Sequence, residues 1–248
     1  MNEIVCGDCI KEMRKMPPGS FGLVVTSPPY NLRNSTGNYW KTGGGRWKRP
    51  ALLGGYTGCD DAMPYPEYVG WQRACLGEMM RLLKPGGAIF YNQKWRVQGG
   101  LIQDRREITD GFPVRQIIVW ERQGGVNFND SFFLPTYEVI FLIAKRGFRL
   151  RPGANAAGDV WRFGQERGNP HPAPFPVRLA ARAVSATDAD PVLDPFMGSG
   201  TTAVACESLG RGWMGIEQSE EYCAAARGRI ARNRVSSELS DVLSPALL

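Results

Sequence analysis

Short apolar runs recur along the chain at residues 3–5, 22–25, 88–91, 114–120, 137–144, 192–193 and 213–216, and each reads as a β-strand. Between them, longer segments at 66–83, 176–184, 201–209 and 220–232 read as helices. The first of these stops at Lys84-Pro85-Gly86-Gly87, a strong helix breaker. Strands alternating with helices predict an α/β fold, with helices on both faces of a mostly parallel, twisted sheet of about seven strands. Two segments, 31–63 and 145–174, carry no clear period. Loops of that length inside a compact domain are usually functional or mobile. With no internal repeat or low-complexity tract, residues 1–235 read as one domain, and 236–248 as a frayed tail.

The strand at 192–193 runs into Asp194-Pro195-Phe196-Met197-Gly198-Ser199-Gly200-Thr201-Thr202 and then into a helix. A strand, a glycine-rich turn and a helix N-terminus form a backbone cradle for a cofactor. Gly198 and Gly200 allow a tight turn and close approach of a ligand. The strand 213–216 then ends in Glu217, where a Rossmann-type unit carries its ribose-binding acid. A phosphate-binding P-loop would require Gly-Lys-Ser/Thr, and the turn has no lysine. A dinucleotide fingerprint would require a third glycine where Ala203 stands. Asp194 at the strand end suits a ligand with an amino group better than one with a pyrophosphate, which points to S-adenosylmethionine.

Toward the other end of the chain, the strand 22–25 leads into Thr26-Ser27-Pro28-Pro29-Tyr30-Asn31. Consecutive prolines stiffen the backbone and leave carbonyls without competing amide donors. The Ser27 hydroxyl and the Pro28 carbonyl can both accept from one planar amine. The lone pair of an exocyclic amine on cytosine or adenine is delocalised into the ring, so that nitrogen is a poor nucleophile. Two rigid acceptors draw it toward tetrahedral geometry and aim its lone pair at a sulfonium methyl. Tyr30 is expected to offer a face on which an extruded base stacks.

Taken together, these segments resemble the β class of DNA amino-methyltransferases, in which the catalytic motif precedes the cofactor motif. The resemblance spans nearly the whole chain. It runs from Cys6-Gly7-Asp8-Cys9 through Ser27-Pro28-Pro29-Tyr30 and the helix ending at Lys84-Pro85-Gly86-Gly87. It continues through Trp120-Glu121-Arg122, Tyr137-Glu138 and His171-Pro172-Ala173-Pro174-Phe175-Pro176 to the turn at 194–202 and Glu217. It implies a Rossmann-like methyltransferase fold, with Ser27, Pro28, Pro29 and Tyr30 acting on the base. Asp8, Phe175, Asp194, Phe196, Gly198, Gly200, Thr201 and Glu217 would hold S-adenosylmethionine, with Asp8 at the adenine. Within the family, Ser-Pro-Pro-Tyr is more frequent on cytosine-N4 enzymes and Asp-Pro-Pro-Tyr on adenine-N6 enzymes. Many adenine-directed members also carry a lysine in the segment matching Pro174-Phe175, and none stands here. Both points favour cytosine N4, with adenine N6 as the alternative and an RNA or protein amide as a more remote one.

Charge agrees with a nucleic-acid substrate. The net charge is +6, and residues 31–59 hold Arg33, Lys41, Arg46, Lys48 and Arg49 with no acid. Tyr39, Trp40, Trp47 and Tyr56 are interleaved among them. Such loops suit phosphate contact and base stacking, so these five residues are expected to meet double-stranded DNA. A second basic stretch holds Lys145, Arg146, Arg149 and Arg151. Cys6 and Cys9 form a C-x-x-C without a second ligand pair, and His171 is the single histidine, so no metal is expected. The absence of a Pro-Cys dipeptide argues against attack at ring carbon. With no leader-like start and no membrane-length apolar run, the expectation is a cytoplasmic protein. The resemblance adds a homodimer and a cognate restriction endonuclease as candidate partners.

Overall fold

A computed structural model of the chain describes residues 2–31, 62–98, 101–122, 131–166, 169 and 174–243, the last nine of these as backbone only. Its main sheet is built from β1 (Glu3–Cys6), β2 (Phe21–Thr26), β3 (Leu83–Gln93), β6 (Val114–Glu121), β7 (Tyr137–Ala144), β8 (Val160–Arg162), β9 (Val192–Asp194) and β10 (Trp213–Glu217). Across the sheet the order is β1-β10-β9-β2-β3-β7-β6-β8. Only β7 runs against its neighbours. A separate ribbon pairs β4 (Arg96–Gln98) with β5 (Leu101–Gln103).

All seven expected strands are present, and the sheet has an eighth, β8, inside the segment 145–174 whose sequence shows no period. Three residues pairing along one edge give too short an alternation to register as one. β2 is buried at every position, as expected of a central parallel strand with both faces covered. Its side chains alternate between two cores. Leu23 and Val25 join Phe90, Leu142 and Val192 on one face; Val24 joins Ile89, Phe141 and Leu193 on the other.

The second face is covered by α1 (Cys9–Lys15), α2 (Tyr65–Leu82) and the single turn α3 (Arg106–Thr109). Helix α2 begins with proline in its first turn and buries Tyr68, Gln72, Cys75, Leu76, Met79 and Leu82, a stripe at helical spacing. It ends at Leu82, and β3 starts in the next residue, so the expected breaker Lys84-Pro85-Gly86-Gly87 lies within the first half of that strand. Helix α1 is an addition to the sequence reading, because seven residues with two buried positions, Cys9 and Met13, make barely two turns. The first face carries α4 (Val177–Ser185), α5 (Thr201–Ser208) and α6 (Glu220–Leu243). Since α6 continues to Leu243, the expected boundary at 235 falls inside a helix. Among the described residues no helix is long and apolar enough to cross a membrane.

Chain direction sets where a ligand can sit. From β2 the chain crosses through α2 to β3 on one side; from β9 it crosses through α5 to β10 on the other. β2 and β9 are hydrogen-bonded neighbours, Leu23 beside Val192 and Val24 beside Leu193. The crossover direction reverses between them, and that reversal opens a crevice beyond their carboxyl ends.

Candidate functional site

Both sequence motifs open into this crevice. Ser27 lies just past the end of β2 and Phe196 just past the end of β9. With Pro174, Phe175, Met197, Gly198, Ser199 and Thr201 they line one small cleft.

The turn after β9 is held by backbone groups. Gly198 (φ 50°) and Gly200 (φ 83°) take left-handed conformations. A side chain at Gly200 would also press on Ala226 Cβ at 3.2 Å and Met197 Cε at 3.3 Å. The Gly198 amide donates to Glu217 Oε2 (2.8 Å), and the Ser219 amide donates to Oε1 (2.8 Å). Burial raises the Glu217 carboxyl above its ordinary pKa, and these amides pull it back down. Thr201, in the first turn of α5, accepts from Arg229 Nη1 (2.9 Å), which ties α6 to the cradle. Phe196 meets Trp71 of α2 edge-on, with ring centroids 5.6 Å apart.

β1 lies beside β10 with Cys6 level with Glu217, so Asp8 emerges at the same edge of the sheet. Asp8 also caps α1, accepting from the Lys11 amide at 2.9 Å. In the C-x-x-C that it interrupts, Cys6 is exposed while Cys9 is buried with its sulfur 3.9 Å from that of Cys75.

Asp194 departs from expectation. It is only 2% exposed, and its oxygens are taken by the Thr26 hydroxyl (2.6 Å), the Thr202 hydroxyl (2.7 Å) and the Phe196 amide (3.1 Å). Rather than facing a ligand ammonium, it braces the end of β2 against the cofactor turn. Desolvation pushes its carboxyl up to about 6, against the pull of those donors.

The turn after β2 cannot hold itself together, since two of its residues lack amide protons. Side chains from elsewhere grip its carbonyls instead. Tyr68 Oη (2.8 Å) and Gln72 Nε2 (3.2 Å) donate to the Pro29 carbonyl, and Arg105 Nη2 (3.1 Å) donates to that of Tyr30. Arg96 donates to the carbonyl of Asn31, itself left-handed at φ 58°. Arg105 is fully buried and stacks over the Tyr68 ring at 4.8 Å. No described residue donates to the Pro28 carbonyl.

Tyr30 also departs from expectation. The residue is 3% exposed, and its hydroxyl is turned to the protein. Its hydroxyl lies 2.7 Å from Ser27 Oγ, donates to Glu138 Oε2 (2.9 Å) and accepts from Asn92 Nδ2 (2.7 Å). Asn92 Nδ2 also reaches Glu138 Oε2 (2.8 Å) and Ser27 Oγ (3.2 Å). Turning that amide toward three oxygens leaves its own oxygen buried without a partner. Glu138 Oε1 pairs with Arg122 Nη1 at 3.4 Å, both side chains nearly buried. Nearby, burial pushes the Lys94 ammonium below its ordinary pKa, with the charge of Glu138 opposing.

Asn92 is not among the site residues expected from sequence, and Glu138 stands in the Tyr137-Glu138 segment of the family resemblance without a role of its own. For Asn92 the signal is present: Asn92-Gln93 are polar residues that follow the apolar run 88–91 of a central strand, and both are buried. Arg33, Lys41, Arg46, Lys48 and Arg49 lie outside the described residues. The second basic stretch begins at the end of β7 that pairs with the start of β3, the sheet edge opposite the cleft. There Lys145 bonds the Leu83 carbonyl and Arg151 pairs with Asp188 at 3.1 Å.

Known proteins resemble this chain along most of its length. The model of the DNA methylase family of N6 and N4 methyltransferases matches residues 21–228. The type II methyltransferase M.BglII of Bacillus subtilis is 30% identical over 269 aligned residues, covering 90% of this chain and 67% of that protein. TTHA0409 of Thermus thermophilus, solved in complex with S-adenosyl-L-methionine, superposes with a TM-score of 0.66 at 25% identity, over 94% of this chain and 96% of that one. The cytosine-N4-specific PvuII DNA methyltransferase superposes with a TM-score of 0.71 at 21% identity, over 92% of this chain and 85% of that one.

Proposed function

The chain belongs to the DNA methylase family of N6 and N4 methyltransferases, and we propose that it methylates the exocyclic N4 of cytosine in duplex DNA with S-adenosylmethionine as donor. The observation that carries this reading is the shared cleft. Ser27 and the glycine turn line one cavity, so an amine held at Ser27 meets whatever the turn holds.

The residues fit the cofactor. Left-handed glycines and the N-terminus of α5 give the close backbone approach it needs; Phe175 and Phe196 give apolar walls. In this reading Glu217, anchored by two amides, accepts from the ribose hydroxyls, and Asp8 at the neighbouring strand end meets the adenine. When bound, S-adenosylmethionine supplies an electrophilic methyl on a sulfonium. The chain supplies the geometry of the amine. Ser27 Oγ and the Pro28 carbonyl accept from it and draw its lone pair out of the ring. Duplex pairing hides that amine, so the base is extruded into the cleft before it reacts. Tyr30 holds Ser27 from behind rather than stacking on the base. The preference for cytosine follows the Ser-Pro-Pro-Tyr motif, and the likeness to the cytosine-N4-specific PvuII enzyme is in keeping with it.

The test is to express the protein in a host without DNA modification and sequence the DNA by a method that separates N4-methylcytosine from N6-methyladenine. N4-methylcytosine in one sequence context is the expected result. N6-methyladenine would overturn the choice of base, and unmodified DNA from an active preparation would overturn the function. We also keep Arg33, Lys41, Arg46, Lys48 and Arg49 as phosphate contacts. Neutralising any one should flatten the dependence of log affinity on log salt by about one unit, for cognate and non-cognate DNA alike.

A further inference from the structure

The cluster behind Ser27 contains a carboxylate that the scheme above leaves without a role. Glu138 is 5% exposed and paired with Arg122, so it accepts hydrogen bonds and donates none. Of Ser27, Asn92 and Glu138 around the Tyr30 hydroxyl, only Glu138 is unable to donate. The single phenolic proton therefore points at Glu138 Oε2, 2.9 Å away. With that proton committed, the 2.7 Å contact between Ser27 Oγ and Tyr30 Oη requires Ser27 to be the donor. Asn92 Nδ2 approaches the serine oxygen at 3.2 Å as a further donor. Ser27 thus has its proton turned away and a lone pair left over.

We propose that Glu138 is a positioning residue that sets the direction of this hydrogen-bond chain, so that Ser27 meets the target amine as an acceptor only. A serine free to rotate would spend part of its time aiming a proton at the amine nitrogen, competing for the lone pair that must attack. The inference rests on the reading of Ser27 as acceptor for that amine, and goes beyond it in naming what enforces the polarity.

Glu138→Gln tests it with almost no change of shape. Arg122 faces Oε1, so the amide oxygen stays there and the new NH₂ group turns toward Tyr30. That group also faces Asn92 Nδ2, 2.8 Å from the replaced oxygen, so the Asn92 amide turns over; without its obligate acceptor Tyr30 no longer holds its proton away from Ser27, and Ser27 Oγ ceases to be an acceptor only. We expect kcat to fall on the order of tenfold to a hundredfold. KM for DNA should hold, as should S-adenosylmethionine affinity by calorimetry and fluorescence of 2-aminopurine at the target position. The decisive arm is Tyr30→Phe, which removes the relay oxygen. In that background Glu138→Gln should cost nothing further. An equal loss in both backgrounds, or no loss in the parent, overturns the proposal. If Glu138→Gln does not fold, Tyr30→Phe decides alone: Ser27 loses the acceptor for its proton, so kcat should fall about tenfold with flipping fluorescence unchanged, and an undiminished kcat overturns the proposal. Ser27→Ala separates the two levels. Full activity there breaks the acceptor reading itself, whereas an active Glu138→Gln in an enzyme that needs Ser27 breaks only the directional role.

Discussion

The turns after β9 and β2 leave adjacent parallel strands at one edge of the sheet, yet they keep their shapes by opposite means. The glycine turn after β9 is a backbone structure. Its amides find partners nearby: Phe196 to Asp194, Gly200 to the Met197 carbonyl, Gly198 to Glu217 on the next strand. The proline turn after β2 has too few amides for that, and is held by side chains from α2, β3, β7 and the segment before α3. A cradle made of backbone accepts a ligand by shape and by rows of amides. A cluster made of side chains can set the direction of individual protons. The first suits a cofactor common to many reactions, the second the one atom where this reaction happens.

The largest expected effect separates the two turns most sharply. Ser27→Ala removes an acceptor that matters most as the amine becomes tetrahedral, so kcat should fall on the order of a hundredfold. S-adenosylmethionine affinity, measured by calorimetry, should be unchanged, because Ser27 borders the cradle without building it. Comparable losses in both would mean the turns are not separable.

Glu217→Ala should do the reverse. The ribose hydroxyls would lose a charged acceptor and the Gly198 and Ser219 amides an anchor, weakening cofactor binding by about 1.5–3 kcal/mol. Titration of a folded variant that binds as tightly as the parent would remove Glu217 from the site, while kcat at saturating cofactor should stay near the parent value.

Gly215→Ala probes the cradle from beneath. Its methyl would lie 2.1 Å from Met197 Sδ and 3.1 Å from Met197 Cβ, so the Met197 side chain has to move and the turn that carries it comes under pressure. Overpacking of this kind costs about 1–3 kcal/mol, readable as a lower denaturation midpoint together with weaker cofactor binding.

The smallest effect is a slope, and it concerns the brace between the turns. The Asp194 carboxyl is raised in the folded state to about 6 from an ordinary 3.8. A carboxyl raised by folding stabilises the protein in its protonated form, and that contribution is lost as pH rises from the unfolded value through the folded one. Asp194→Asn stays neutral, and its amide can still meet Thr26 and Thr202. Relative to the parent the variant should therefore gain stability between about pH 4 and 6, by no more than about 1.4 kcal/mol per pH unit, and gain nothing further above about pH 7. Parallel stability curves for the two proteins would show that Asp194 is not buried in its charged form.

These contrasts match how far each region is legible in the sequence. The strands, the long helices and the glycine turn with Glu217 are readable, because apolar period, breakers and local turn chemistry act over a few residues. The seven-residue α1 and three-residue β8 are not, since neither repeats its pattern often enough. The proline turn is readable as Ser27-Pro28-Pro29-Tyr30, but its supports are not. Residue type at Tyr30 and Asp194 suggests partners in the ligands, while burial gives them partners in the protein. Thr26 and Asp194 are 168 positions apart and bonded at 2.6 Å; Tyr30 and Glu138 are 108 apart and bonded at 2.9 Å. By itself the sequence determined where strands, helices and rigid turns form, because those depend on the conformational freedom of neighbouring residues. Only the tertiary structure decided which polar groups meet at the ends of β2, β3, β7 and β9, because hydrogen-bond partners are chosen by strand order, and strand order is a property of the whole sheet.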